Sequence, residues 1–540
     1  MSNEPAGHQY PPPLLPAPPR PAGRRRGAFA TALWLLVGPV TGGLGLAAGH
    51  LVAALTTPAA SPVLAVGSTV IDRTPTSLKE WAIAHFGTHD KTILVGSVLV
   101  VVLLLSTAVG PLARRRAVYG AAALVLLAGI AAACALRRPE ASAGAAVPSL
   151  VAGVVAVLAL MLVLRLQARH VRPSSTGEAV GGGQTRGPRS SRRTLVVLGA
   201  LAALAAALGE TGRLVIARRA RAEDVTLPAP AEPAPAFPAG IDRTVPGITA
   251  FRTPASRFYR VDTRLDVPVV DSDGWSLRID GDVARPFEID YRELLAMPMI
   301  ERDITLTCVS NSVGGPYVGG ARWLGVRLSD LLERAGVGHS ADQILSTDFA
   351  GMTISTPLAL ATDGRDAMVA VGMNGAPLPR AHGFPARLVI PGLYGFISAT
   401  KWVTRLTLTT YAQHSAYWTD RGWATDAPIK ISSRIDTPRP LASVKRGDQV
   451  LGGVAWAQQN GGVAKVEVSI DGGPWTAAHL GPSAGNDYWR QWYAPWRATP
   501  GTHTLACRVV DGAGQTQTPV RAEPFPSGAS GVQTITVSVA

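Results

Sequence analysis

The sequence is poor in cysteine, in lysine and, over its first part, in acidic residues. Only three cysteines, Cys134, Cys308 and Cys507, occur in 540 residues, and Cys134 lies inside an apolar run. No disulfide framework can be drawn from them, so stability has to come from packed cores. The scarcity of acid is local. Residues 1–221 hold 23 Lys and Arg against 7 Asp and Glu, whereas residues 222–540 hold 28 against 30. The formal charge of +14 therefore belongs to the first part of the chain. The second part has no basic footprint from which nucleic-acid binding would start, which excludes that class of partner. High Ala, Gly, Pro and Arg with little Lys resembles the composition of high-GC actinobacterial proteins.

Where acids are missing, long apolar runs take their place, at 28–55, 92–112, 117–136, 147–166 and 194–208. The hydrocarbon of a bilayer is about 30 Å thick, which these runs span, the last with help from 209–216. Residues 61–71 are apolar but too short to cross, and 75–86 have the mixed pattern of an interfacial helix. Arginines set the orientation, because cations flanking a span stay cytoplasmic. Arg24, Arg25 and Arg26 place the N-terminus inside, and five crossings put everything after residue 217 outside. Arg114 to Arg116 and the group Arg165, Arg169, Arg172, Arg186, Arg189, Arg192 and Arg193 agree, while Arg137 and Arg138 oppose. The expected location is a multi-pass cell-membrane protein with an extracytoplasmic C-terminal half. Ser191-Arg192-Arg193-Thr194-Leu195 resembles a twin-arginine export signal, a route suited to a domain that folds around its cofactor before export.

The expected division is a disordered tail at 1–27, a membrane domain of about five helices at 28–217 and a Pro-rich linker at 218–246. A mixed α+β domain at 247–430 and a β-sandwich at 431–540 follow. Runs at 275–280 and 386–390 read as strands, and 328–335 as a helix. Beyond 431 the pattern is all strand and turn: 463–470 alternates with period two, Asp471-Gly472-Gly473 turns, and 503–510 is another strand.

Two segments carry chemistry. Thr305-Leu306-Thr307-Cys308-Val309-Ser310-Asn311 leads into Gly314-Gly315, delivering one soft thiol into a turn whose glycines allow close approach of a large anionic group. A buried inert cysteine is the plainer alternative. Downstream, Asn374-Gly375-Ala376-Pro377-Leu378-Pro379-Arg380-Ala381-His382-Gly383-Phe384-Pro385-Ala386-Arg387 runs on to Tyr394-Gly395 and Ser398-Ala399-Thr400-Lys401-Trp402. His382, Arg387 and Lys401 are donors suited to phosphate oxygens or a planar heterocycle.

These segments, in this order and followed by the terminal β-sandwich, resemble the sulfite-oxidase superfamily of molybdopterin oxidoreductases over residues 247–540, in a membrane-anchored actinobacterial form. The resemblance implies a sulfite-oxidase fold, a molybdenum-molybdopterin cofactor and an immunoglobulin-like C-terminal domain that supports a homodimer. It makes Cys308 the metal ligand and assigns Phe258, Tyr259, Asn311, His382, Arg387, Ser398 and Lys401 to cofactor binding. Arg260, Arg421 and Trp423 fall to the catalytic side. A small-molecule substrate and an electron-transfer partner follow. Trp456, Trp475, Trp489, Trp492 and Trp496 serve either the sandwich core or its interface.

Two departures bear on substrate. Trp423 stands where the family places a tyrosine, and Phe525-Pro526-Ser527-Gly528 supplies no arginine from the last domain. Sulfite is therefore expected to be a poorer substrate than an uncharged oxygen-atom donor such as a sulfoxide. His50, His85 and His89 offer imidazoles to a haem, but their interfacial pattern argues against one. Asp363-Gly364-Arg365-Asp366 reads as a solvated loop. The rival function is an exported receptor or adaptor without catalysis, which would not need Cys308, His382, Arg387 and Lys401 together.

Overall fold

The structure is a computed structural model and describes residues 22–75, 78, 81, 82, 85, 86, 90–138, 141–168, 189–219 and 225–540. The tail through residue 21, His89, Arg169, Arg172 and Arg186 lie outside the described residues. The chain divides into two compact units, the first made of residues up to Val66, Leu94–Ala135 and Ala145–Arg213.

Five helices, Ala32–Leu55, Lys91–Arg115, Ala117–Leu136, Ala143–Ala168 and Arg193–Arg219, are long and apolar enough to cross a membrane. They coincide with the five runs read from the sequence. The first helix already starts at Ala22, inside the expected tail. Glycine lets these helices touch through their backbones: a Cβ at Gly45 would lie 2.3 Å from Ala152 O, and one at Gly49 would lie 2.6 Å from Pro148 O. Small-residue contacts of this kind replace the hydrophobic driving force that lipid removes.

The second unit takes Gly67–Ile93, Leu136–Gly144 and Leu214–Ala540. One of its sheets orders the strands Phe287–Asp290, Ser276–Gly281, Val403–Thr409, Gln343–Asp348 and Thr353–Pro357. A second runs Met299–Thr307, Val318–Arg327, Met368–Met373 and Ala376–Pro377, with Arg387–Val389 also paired to Met368–Met373. All six positions of Met368–Met373 are buried, which is why this strand is apolar on both faces. The helix Leu328–Ala335 buries Leu328, Leu331, Leu332 and Ala335, the i, i+3, i+4, i+7 stripe of an amphipathic helix. It stops at Gly336, whose φ of 68° suits a residue without Cβ.

The C-terminal strands form a four-stranded and a five-stranded sheet that share a core of Leu451, Val466, Trp492, Trp496, Leu505 and Val537. Trp456 and Trp489 are buried in the core of the preceding mixed domain. Trp475 lies outside both cores and carries the Arg508 guanidinium over its ring. Four of the five tryptophans thus stabilise this chain's own interior.

The Pro-rich stretch is no free linker. The N–H groups of Ala231 and Glu232 donate to Met299 O, Glu232 pairs with Arg302 and Arg327, and Phe237 packs on Phe251 and Tyr488. Proline removes donors but fixes φ, so such a segment docks with little loss of chain entropy. Asp366 is also not simply solvated, since it pairs with Arg302 and Arg327 at 2.6 Å each.

Candidate active site

The strand Met299–Thr307 ends one residue before Cys308, as the sequence implies. Cys308 N–H donates to Tyr317 O at 2.9 Å, Asn311 N–H donates to Cys308 O at 3.0 Å, and Asn311 Oδ1 accepts Tyr317 N–H at 2.8 Å. Asn311 therefore closes the thiol loop at its base. The two glycines were expected to admit a ligand; they admit protein instead. A Cβ at Gly314 would lie 2.4 Å from Gln533 Nε2, and one at Gly315 would lie 2.6 Å from Asn311 Oδ1. The Cys308 thiol is buried, and burial pushes its pKa up against opposing contributions from Ser310 hydrogen bonds and the Lys401 charge.

Arg387 and Lys401 face each other across an antiparallel bridge, which directs both side chains to one face. Gly383 sits under them with φ of 110°: a Cβ there would lie 3.0 Å from Arg387 Cβ and 3.1 Å from Lys401 Cβ. This explains the glycine after His382 in the sequence. His382 Nε2 lies 2.8 Å from Ala255 O. Because the partner is a carbonyl, Nε2 carries the proton and donates. Burial, with Arg387, Lys401 and Arg260 nearby, lowers its pKa to about 4. Arg387 is buried, donates to His382 O and Ala399 O at 3.2 and 3.4 Å, and lies over Trp323. Its Nε has no hydrogen-bond partner among the described residues, and burial lowers the guanidinium to about 10.

Phe258 packs edge-on against Trp323 and His382 and stacks on Tyr259. Tyr259 feels both Cys308 and Arg387, and its burial raises the phenol far above the usual range. Arg260 is held by Asp262, Nε to Oδ2 at 2.8 Å, and the same carboxylate oxygen accepts Lys401 Nζ at 2.6 Å. Burial lowers Lys401 to about 8, with Asp262 opposing, whereas the cations around Asp262 override its own burial and hold its carboxyl well below the usual range. Asp262 was missed in the sequence, although it stands two residues after Arg260.

On the other side, Tyr394 lies close enough to Cys308 for the two charges to interact, and burial pushes its phenol up to about 12. Gly528 is glycine because a Cβ there would be 2.5 Å from the Tyr394 hydroxyl. Lys430 Nζ donates to Gly528 O at 2.5 Å. The last-domain stretch thus lies against Tyr394, and a lysine accompanies it that sequence reasoning overlooked. Tyr394 was visible inside the quoted motif yet given no role. Trp423 packs on Phe396, Trp418 and Phe525, and its buried indole N–H has no partner among the described residues. Arg421 stacks on Tyr417 and donates to Tyr417 O, with no ion pair or hydrogen bond to the Cys308 group. The Ser398 hydroxyl is committed to Leu393 O and Tyr394 O. His50 bonds Ser61 in the first unit, and His85 bonds Trp81 O in the second.

Residues 264–418 match the model of the oxidoreductase molybdopterin binding domain. The chain is 31% identical to human mitochondrial sulfite oxidase, over 46% of this chain and 54% of that protein. It is 30% identical to Gallus gallus sulfite oxidase, over 48% and 67% respectively. Among solved structures, the sulfane dehydrogenase of Paracoccus pantotrophus aligns with a TM-score of 0.47 at 24% identity, covering 53% of this chain and 81% of that one. The chain spans about half the length of the mammalian relatives it matches. It belongs to the sulfite-oxidase superfamily of molybdopterin oxidoreductases.

The residues present fit such a cofactor. The Arg387 Nε and the Thr307 hydroxyl are buried donors without partners among the described residues, and both lie on elements that meet at the site. Buried donors of this kind cost about 1–3 kcal/mol each unless something accepts from them. Among the described residues no three His, Cys, Asp or Glu side chains gather into a metal-holding group. A metal at Cys308 would take its other ligands from the cofactor or solvent.

Proposed function

We propose that the chain is a membrane-held molybdenum-cofactor oxidoreductase that acts on a small substrate at the outer face of a cell membrane. The supporting observation is one buried thiol, Cys308, within reach of the Lys401 charge, with Lys401 bridged to the buried Arg387 and the His382 ring close to both cations. A receptor without catalysis would have no use for an uncompensated buried guanidinium, which only weakens the fold.

Cys308 would hold the metal, and Arg387, Lys401 and the His382 ring would hold the pterin and its phosphate. Bound there, the group supplies two-electron oxygen-atom chemistry, and single electrons then pass to or from a partner. The protein's own work is to bind, orient and exclude water. His382 stays neutral at physiological pH; its Nε2–H is committed to Ala255 O, and the tautomer fixed in this way leaves Nδ1 as an acceptor. Tyr394 keeps its proton and offers an O–H beside the thiol. Trp423 offers one indole donor and no acceptor, enclosed by Phe396, Trp418 and Phe525, which suits a compact substrate with a single oxo group. Lys430 brings a cation nearby, but its ammonium already donates to Gly528 O. An uncharged oxygen donor such as a sulfoxide therefore suits the site better than sulfite. The terminal domain is read as immunoglobulin-like, and a homodimer through it completes the proposal.

The full chain, purified from membranes of molybdenum-replete cells, tests this reading. It should carry molybdenum and pterin and turn over methionine sulfoxide with an artificial electron donor. Absence of both would remove the cofactor reading. Efficient sulfite oxidation at micromolar concentration would remove the substrate preference while leaving the cofactor reading intact.

A further inference from the structure

Lys91 opens the candidate span Lys91–Arg115, far in sequence from the site, yet the segment Gly67–Ile93 packs as part of the same unit as the mixed domain. Its ammonium donates to three oxygens of one loop: Asp262 Oδ1 at 2.8 Å, Asp262 O at 2.9 Å and Arg264 O at 2.7 Å. Oδ2 of that carboxylate accepts Lys401 Nζ and Arg260 Nε, and Oδ1 also accepts Arg260 Nη2 at 3.3 Å and the Arg264 N–H at 3.0 Å. The side chain of Asp262 is 8% exposed and that of Lys91 is 24% exposed. Two further contacts seat the segment: Leu265 lies against Gly67, and Arg138 donates to Ser68 Oγ at 3.0 Å.

One carboxylate here serves three cations, and the sharing has a consequence for anion binding. Lys401 and Arg260 can direct charge at an anion only to the extent that Asp262 is neutralised elsewhere. We propose that Lys91 is a positioning residue of the cofactor site: it neutralises part of the Asp262 charge, so that Lys401 and Arg260, bonded to the same carboxylate, keep more of their own charge for an anionic pterin. The segment Gly67–Ile93, which packs in the same unit as the mixed domain, thereby completes the cofactor site. This inference rests on the cofactor reading above.

The test measures pterin released from the full chain after denaturation, followed over time during dialysis at raised salt. Lys91→Met should shorten the half-time of pterin loss about tenfold, the scale of one lost charge-assisted contact. Lys91→Arg, which keeps the charge, should lose pterin more slowly than Lys91→Met. Adding Asp262→Asn to Lys91→Met should restore retention toward that of the parent, because the competing carboxylate is gone. A mere structural staple would not be rescued in this way. Retention in Lys91→Met equal to the parent's, or a loss that Asp262→Asn leaves in place, would overturn the proposal. If Lys91→Met fails to accumulate, the double variant must accumulate and hold pterin, and its failure also overturns the proposal. A parent chain without pterin would instead sink the cofactor reading.

Discussion

Arg387→Met should stabilise the cofactor-free protein and weaken its hold on the cofactor, two effects of opposite sign from one substitution. Arg387 is 5% exposed, and no carboxylate among the described residues forms an ion pair with it. Its folded pKa of about 10 lies below the ordinary arginine value, so the fold resists the charged form. That cost is fully present below pH 10 and disappears only as the pH rises through the unfolded value. At ~1.4 kcal/mol per pH unit it amounts to roughly 3 kcal/mol at neutral pH. Against it stand two long hydrogen bonds and a cation over Trp323 at 5.0 Å, together about 1–2 kcal/mol. Methionine keeps the aliphatic stem, so the net change is about +1 kcal/mol, or about 2–4 °C in Tm. The assay is thermal unfolding by tryptophan fluorescence, on parent and variant chains made in cells unable to synthesise pterin. The same variant made in replete cells should bind pterin about 10–100-fold more weakly. A Tm several degrees lower in the cofactor-free variant would refute the argument that Arg387 is strained until an anion meets it.

His382 is a base with a depressed folded pKa of about 4, so between about pH 6.5 and 4 the unfolded chain binds a proton that the folded chain does not. Stability contributed by the neutral ring falls as pH drops through that window, by roughly 3 kcal/mol in all, and urea unfolding at pH 7 and pH 4.5 should show a smaller difference in His382→Gln than in the parent. Cys308→Ser should abolish turnover with little change in Tm, since serine is nearly isosteric with cysteine and can keep the hydrogen bonds with Ser310; retained activity would end its assignment as metal ligand. A reporter enzyme fused after Ala540 should be active only when exported, and activity confined to the cytoplasm would reverse the proposed topology.

Much of the fold was legible because its signals are local. The five apolar runs needed only length, and Leu328–Ala335 was bounded by its apolar stripe and Gly336. The strand Val463–Ile470 declared itself by alternation and the turn after it. The Pro-rich stretch misled because composition reports what a segment cannot do alone, not what a neighbouring strand offers it. Met299 O accepts from Ala231 and Glu232, and nothing near residue 231 announces that carbonyl. The same holds for Asp366, whose two arginine partners come from distant strands.

The site divides along the same line. Cys308, His382, Arg387 and Lys401 belong to short contiguous segments, so reading those segments was enough to single them out. Asp262, Tyr394 and Lys430 matter through what faces them across the fold. Tyr394 is explained by Gly528, which lies far along the chain and has no side chain to signal its role. Asp262 is explained by Lys91 and Lys401, drawn from opposite directions in the sequence. In both cases the informative quantity is a charge or a volume shared between remote segments, and a linear sequence prints each half without the other. Arg421 is the converse case. Its neighbourhood in sequence suggested a cation for the substrate, but the ring of Tyr417, four residues earlier, lies 3.5 Å away and takes the guanidinium. A local partner at helical spacing competes at almost no entropic cost with any distant role, and here the local partner wins.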